Sequence, residues 1–138
     1  MAAVALKILL VDDDPEDRAI MQEAIELAPG KDTFWFAENG EDALSKLEAF
    51  YVSGHLPCLI VLDLNMPRMN GTQTLSYLKA DERFQNIPVI IYSTSVNLLE
   101  KEKCMRLGAH SYIAKPVSFK ESLETATLFN QFCTQVEN

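Results

Sequence analysis

Three aspartates, a hydroxyl and a lysine stand where separate apolar runs stop: Asp12 and Asp13 after KILLV, Asp63 after LIVL, Ser93 after VIIY and Lys115 after SYIA. Carboxylates gathered in one cleft repel one another, so such a group either raises a pKa or draws in a cation. An oxygen-only donor set selects a hard ion, and Mg²⁺ takes one or two carboxylates together with waters and phosphate oxygens. A carboxylate is also a nucleophile toward phosphorus, forming an aspartyl phosphate. The charge so created calls for a cation, a lysine and a hydroxyl around it. Asp13, Asp63, Ser93 and Lys115 would supply that set.

Something must bring these residues to one place. Five short apolar runs read as strands by length and by β-branched or aromatic content: Leu6 to Val11, Thr33 to Ala37, Cys58 to Leu62, Val89 to Tyr92, and His110 to Ala114. Helical spacing lies between them. The first helix starts at Pro15 with Asp14 as its cap, carries Ile20, Ala24, Leu27 and Ala28 on one face, and stops at Pro29-Gly30. A second follows Asn39-Gly40, a third follows Gly71, and a fourth runs from Ser95, its expected cap, to Gly108. The fifth opens on Ser118 and Glu121, the two ends of a capping box, with Phe119, Leu123, Ala126 and Cys133 as its core face.

Strand and helix alternating five times predict an α/β fold, a doubly wound parallel sheet with right-handed crossovers. Runs that are apolar on consecutive residues suit strands buried on both faces. Ligands of such sheets sit beyond the carboxyl ends of the strands, where the acids, hydroxyls and lysine fall. Strict alternation aims Asp12 and Asp13 at opposite faces, so both reach one pocket only because the strand ends there.

The 138 residues suffice for one domain with one substantial core, 48% of them being hydrophobic. A formal charge of -8, with 12 Lys and Arg, excludes a phosphate-binding basic stripe, so no nucleic acid is expected. No apolar stretch reaches membrane-spanning length and no cleavage site follows the apolar N-terminus, which places the chain in the cytoplasm without a membrane partner. Cys58, Cys104 and Cys133 are odd in number and have no metal-ligand spacing, so they read as packing residues in a reducing compartment, without a disulfide framework.

VDDDP, VLDLNMPRMNG, IPVIIYSTS and GAHSYIAKPVS resemble, in order, the signature segments of the response-regulator receiver domain of two-component signalling, across roughly residues 5 to 130. The separations of 50 residues from Asp13 to Asp63, 30 to Ser93 and 22 to Lys115 are similar to the family's. The resemblance implies a five-stranded flavodoxin-like receiver fold with strand order 2-1-3-4-5, filling residues 1–138 without an effector domain. It implies Asp63 as phosphoacceptor, Asp12 and Asp13 as the acidic pair with Asp13 the more direct Mg²⁺ ligand, and the Asn65 backbone carbonyl completing the metal site. Mn²⁺ would substitute for Mg²⁺. Ser93 resembles the switch hydroxyl, Lys115 the lysine that pairs with the phosphoryl group before a Pro116 bond often cis in the family, and Tyr112 the aromatic that changes rotamer.

The phosphate would come from a phosphohistidine on a sensor histidine kinase or a phosphotransfer protein. On this reading the chain is a phosphoacceptor that promotes its own phosphotransfer and autodephosphorylation, and is not otherwise an enzyme. Output would pass by protein contacts through the fourth helix, fifth strand and fifth helix to a downstream protein. Single-domain receivers of this kind resemble chemotaxis regulators, phosphorelay intermediates and phytochrome-associated regulators, and the stretch DERFQNIP looks most like the last.

Several alternatives stay open on the residues alone. Ser93, Thr94 and Ser95 adjoin, and Thr94, often alanine or glycine in the family, would narrow access for the phosphate. Tyr112 also reads as a half-buried strand aromatic. Leu128, Phe132 and Val136 recur on the far side of the last helix, either as a homodimer or partner surface or as a tail folded back. The Asp-x-Asp of Asp12 to Asp14 resembles haloacid-dehalogenase phosphatases, but their later acidic pair is missing after Lys115. An EF-hand reading of DDDPED fails for want of its central glycine and terminal glutamate. A receiver-like binding module that works without phosphorylation would have lost an acid or the lysine, and neither is lost.

Overall fold

In the computed structural model, which describes residues 7–28, 33–66, 69–94 and 97–137, strands and helices alternate without exception. The strands are β1 (Lys7–Val11), β2 (Thr33–Ala37), β3 (Leu59–Asp63), β4 (Val89–Ser93) and β5 (Ser111–Ala114). The helices are α1 (Pro15–Leu27), α2 (Gly40–Ser53), α3 (Gly71–Ala80), α4 (Leu98–Leu107) and α5 (Phe119–Glu137). All strand pairs are parallel and the sheet order is β2-β1-β3-β4-β5. This is the doubly wound receiver topology that the strand pattern and the resemblance imply. Leu6, expected to begin the first strand, lies outside the described residues.

Alternation along the central strands divides the core into two layers. Leu9, Val11, Ile60, Leu62, Val89 and Ile91 face α2, α3 and α4, where Ala43, Leu47, Leu75, Leu78 and Cys104 close over them. Ile8, Leu10, Leu59, Val61, Ile90 and Tyr92 face α1 and α5, against Met21, Ala24, Ala126, Phe129 and Cys133. Burying a Leu, Ile or Phe stabilises by about 1.5–3 kcal/mol each. A strand apolar on every residue therefore belongs in the middle of this sheet.

The helix starts are fixed by their caps. Asp14 accepts the Glu16 N–H at 2.9 Å and Asn39 the Asp42 N–H at 2.8 Å. Asn70 and Gln73 form a reciprocal capping box, which the sequence reading placed only at the fifth helix. There Ser118 accepts the Glu121 N–H at 3.1 Å. The fourth helix is capped by Asn97, whose side chain accepts from Leu99 and Glu100, so the helix begins later than the expected Ser95, which lies outside the described residues.

Four expectations are corrected. On α1 the buried residues are Met21 and Ala24, while Ile20 and Leu27 are exposed, because the helix leans on the sheet one position round from the assumed face. Phe119 is 40% exposed: it sits in the first turn of α5, and burial on that helix starts with Ser122 and Ala126. Phe132 is only partly exposed, its ring edge-on to His110 at 4.8 Å, so the far-side stripe of α5 is not one open surface. The side chain of Val136 is outside the described set. Cys58 and Cys133 are joined by a disulfide with a Cα–Cα distance of 5.8 Å, and Cys104 is the buried free thiol. Their 75-residue separation hid a juxtaposition that comes from α5 packing back over the start of β3.

Candidate functional site

Register brings the acids together. Val11 lies opposite Leu62, which sets Asp12 beside Asp63 at the next position, and Asp63 itself lies opposite Tyr92. Tyr92 is opposite Ile113, two residues before Lys115. Asp12, Asp63, Tyr92 and Lys115 thus end one row on the α1/α5 side of the sheet. Asp13 follows at the turn, where strict alternation has ended. Carboxylate oxygens of Asp12, Asp13 and Asp63 lie within 4.8 Å of one another.

The loop after β3 is folded tightly to hold this end. The Gly71 N–H donates to the Leu64 carbonyl at 3.1 Å. A Cβ at position 71 would collide with the Asp63 carbonyl and the Leu64 backbone, so this return requires glycine. Asn65 turns its N–H onto Asp63 Oδ1 at 3.1 Å and lines the cleft with Asp13, Asp17, Thr94 and Lys115.

Lys115 is the hub. Its Nζ lies 3.1 Å from Asp63 Oδ2, 3.1 Å from Asp12 Oδ2 and 3.0 Å from Asp17 Oδ2. The Lys115 N–H donates to the Ser93 carbonyl at 2.8 Å, which ties the β5 end to the β4 end. Burial alone would depress its ammonium, but the charge of Asp12, the hydrogen bond to Asp17 and the charge of Asp63 outweigh it and raise Lys115 above the ordinary lysine range. Lys115 is therefore a fixed cation.

Asp63 is 3% exposed. Burial pushes its carboxyl up to about 6, against the pull of the Lys115 charge and the Asn65 N–H, and nearby Asp12 adds to the rise. Asp12 is fully buried and well supplied with donors: its Oδ1 accepts the Asp14 N–H at 3.0 Å and its Oδ2 the Tyr92 hydroxyl at 2.7 Å. Burial, and then the charge of Asp12, push the Tyr92 phenol far above its usual range, so it stays a protonated donor.

The remaining expected residues fall as follows. Ser93 is fully buried at the end of β4, while Thr94 is exposed and lines the cleft, where its side chain takes up space at the mouth. Tyr112 is 8% exposed and turned into the layer beneath α4. The described residues contain no cis peptide bond, so Lys115–Pro116 is trans, unlike the bond often met in the family.

Two residues at the site were missed. Asp17 was not singled out among the acids of the sequence, although it follows Asp13 by about one helical turn at the start of α1. Tyr92 was read only as a strand aromatic, because Ser93 and not Tyr92 ends β4 and only the pairing of β4 with β3 sets Tyr92 opposite Asp63.

The donor chemistry fits a hard divalent cation: three carboxylates, among the described residues no nitrogen or sulfur ligand, and a fixed lysine that keeps two of the acids close before any cation arrives. The arrangement presents one carboxylate, Asp63, with an acidic pair on one side and an ammonium on the other. It is suited to take an electrophilic phosphorus and to offset the charge that results.

Comparison with known proteins agrees with this geometry. Residues 8–127 match the response regulator receiver domain. The chain is 33% identical over 122 residues to Chemotaxis protein CheY1 of Helicobacter pylori strain J99, covering 86% of this chain and 94% of that one. Among solved structures it is similar to the phosphorylated cyanobacterial phytochrome response regulator RcpA, with a TM-score of 0.84, 27% identity and 96% of each chain covered. It is also similar to the Mn²⁺-bound form of response regulator Rcp1, with a TM-score of 0.79, 26% identity, and 92% and 93% of the two chains covered.

Proposed function

The chain belongs to the response regulator receiver domain family, and on that premise we propose that it takes a phosphoryl group onto Asp63 from a phosphohistidine of a sensor histidine kinase or phosphotransfer protein. The observation that carries the reading is the Lys115 ammonium bridging Asp63 and Asp12 at 3.1 Å each, with Asp13 within reach of both acids. A buried carboxylate is there held ready, beside groups able to receive new negative charge.

In the reaction an Asp63 carboxylate oxygen attacks phosphorus in line with the departing imidazole nitrogen. The phosphorus–nitrogen bond breaks and an acyl phosphate forms. The Asn65 N–H orients Asp63 from one oxygen while Lys115 holds the other. Asp12 and Asp13, with Asp63 and the Asn65 carbonyl, would hold Mg²⁺ or Mn²⁺, and the bound ion would neutralise phosphoryl oxygens as charge develops. Lys115 follows the phosphoryl group, and a water entering the cleft past Thr94 attacks its phosphorus, breaking the bond to the Asp63 oxygen and releasing inorganic phosphate and the free carboxylate. Apart from this chemistry on itself the chain turns over no substrate.

Phosphorylation favours the state in which the Ser93 hydroxyl contacts the phosphoryl group and Tyr112 stays inward, so it shifts the population of α4, β5 and α5. Exposed Leu98 and Leu99 at the start of α4, 71% and 75% accessible, support a downstream protein as reader of that surface. Leu128, 48% accessible on α5, keeps a homodimer or partner contact through that helix as a second reading, with Phe132 held edge-on by His110 beside it. The test is intact mass after incubation with Mg²⁺ and acetyl phosphate or a phosphorylated kinase. One added phosphoryl group is expected, lost in EDTA and in Asp63→Asn. No adduct from any donor, or an equal adduct in Asp63→Asn, would overturn the reading.

A further inference from the structure

Tyr92 places a phenol inside the acidic pocket. Its ring packs in the α1/α5 layer, the side chain is 2% exposed, and its hydroxyl donates to Asp12 Oδ2 at 2.7 Å. The same oxygen lies 3.1 Å from Lys115 Nζ, which also sits 5.0 Å from the centre of the Tyr92 ring. Asp12 has no exposed surface, so its carboxylate oxygens take their hydrogen bonds from these donors and the Asp14 N–H. A buried carboxylate deprived of a donor loses stability, and hydrogen bonds to charged groups count for more than neutral ones.

A cation entering the pocket draws on the same Asp12 lone pairs. In the metal-free protein the phenol supplies part of what the cation would supply, and it lowers the negative potential the cation feels. We propose that Tyr92 is a positioning residue that holds Asp12 in the metal-free pocket and thereby sets, by weakening it, the site's affinity for the divalent cation. The inference rests on the reading that Asp12, Asp13 and Asp63 hold such a cation. Linkage fixes its signature: a substitution that destabilises the metal-free form more than the loaded form must tighten binding by the same factor.

The experiment is Mn²⁺ binding to the full chain, by the paramagnetic resonance of free Mn²⁺, for the unsubstituted protein, Tyr92→Phe, Asp12→Asn and the double variant. Tyr92→Phe keeps the ring and removes only the donor. It should bind about three- to tenfold tighter, and its melting temperature should fall more in EDTA than in saturating Mn²⁺. In the Asp12→Asn background it should change nothing. Tyr92→Leu, which also lacks the hydroxyl, should tighten binding in the same direction. A role confined to packing would lower both melting temperatures alike and leave Kd in place, which would overturn the proposal, as would weaker binding or a gain that persists without the Asp12 carboxylate. Absence of Mn²⁺ binding by the unsubstituted chain would overturn the metal site itself and this proposal with it. Normal binding with an unmoved Tyr92→Phe would overturn the proposal alone.

Discussion

Asp63 carries opposed demands. Its place at the end of β3 buries it and lifts its carboxyl to about 6, while Lys115 and the Asn65 N–H pull it back only in part. The ordinary value for the unfolded chain is 3.8, so between about pH 4 and 6 the folded protein holds a proton that the unfolded chain has released. Stability from this group is therefore full below that window and falls as pH rises through it. In metal-free protein, Asp63→Asn should raise the melting temperature at pH 7, and the gain should shrink as pH is lowered from 6 to 4. Melting curves in EDTA across that range check this, and an equal loss at every pH would contradict it. A cation bound among these acids would offset that cost. Tyr92 and Asp17 belong to the same balance, since they fix the partners of Asp12 and Lys115.

At the scale of elements, the central strands were legible because two-sided burial writes itself as consecutive apolar residues, as in Ile8 to Val11 and Leu59 to Leu62. Asp14 was legible as a cap because a short polar side chain before a first helical turn has little else to do, whereas Asn39 was read only as preceding the second helix, which it caps. The helix faces were less so. Ile20 and Leu27 have the spacing of a core face but lie beside it, because composition fixes the period of an amphipathic helix and tertiary docking fixes its phase. The link between Cys58 and Cys133 was hidden because two single cysteines at long separation carry no local pattern. Closing a loop of that length should stabilise by roughly 2–4 kcal/mol. Urea unfolding of Cys58→Ser should show a loss of that order in oxidising buffer and little difference from the unsubstituted chain in dithiothreitol. The same loss in both buffers would remove the cross-link from the account.

Across the whole molecule, the site exists because parallel strands all deliver their carboxyl ends to one edge of the sheet. Asp12, Asp13, Asp63, Ser93 and Lys115 were legible as a set for this reason, although 103 residues separate the first from the last. Their roles in the row were only partly legible. Ser93 is buried and Thr94 meets the cleft, a distinction set by how β4 ends. Tyr92 needed the register of β3 against β4 before it could be placed over the acids. The same topology puts α4, β5 and α5 next to Lys115 and Tyr112, so a change at Asp63 has a short path to an exposed surface.

The central claim is that Asp63 is the residue modified, and an acyl phosphate can be trapped where it forms, because borohydride reduces it to the alcohol. Protein phosphorylated in Mg²⁺ and then treated with borohydride should yield homoserine in place of aspartate at position 63, located by peptide fragmentation. Reduction at Asp12 or Asp13 instead, or an unreduced Asp63 in protein that has gained a phosphoryl group, would contradict the account.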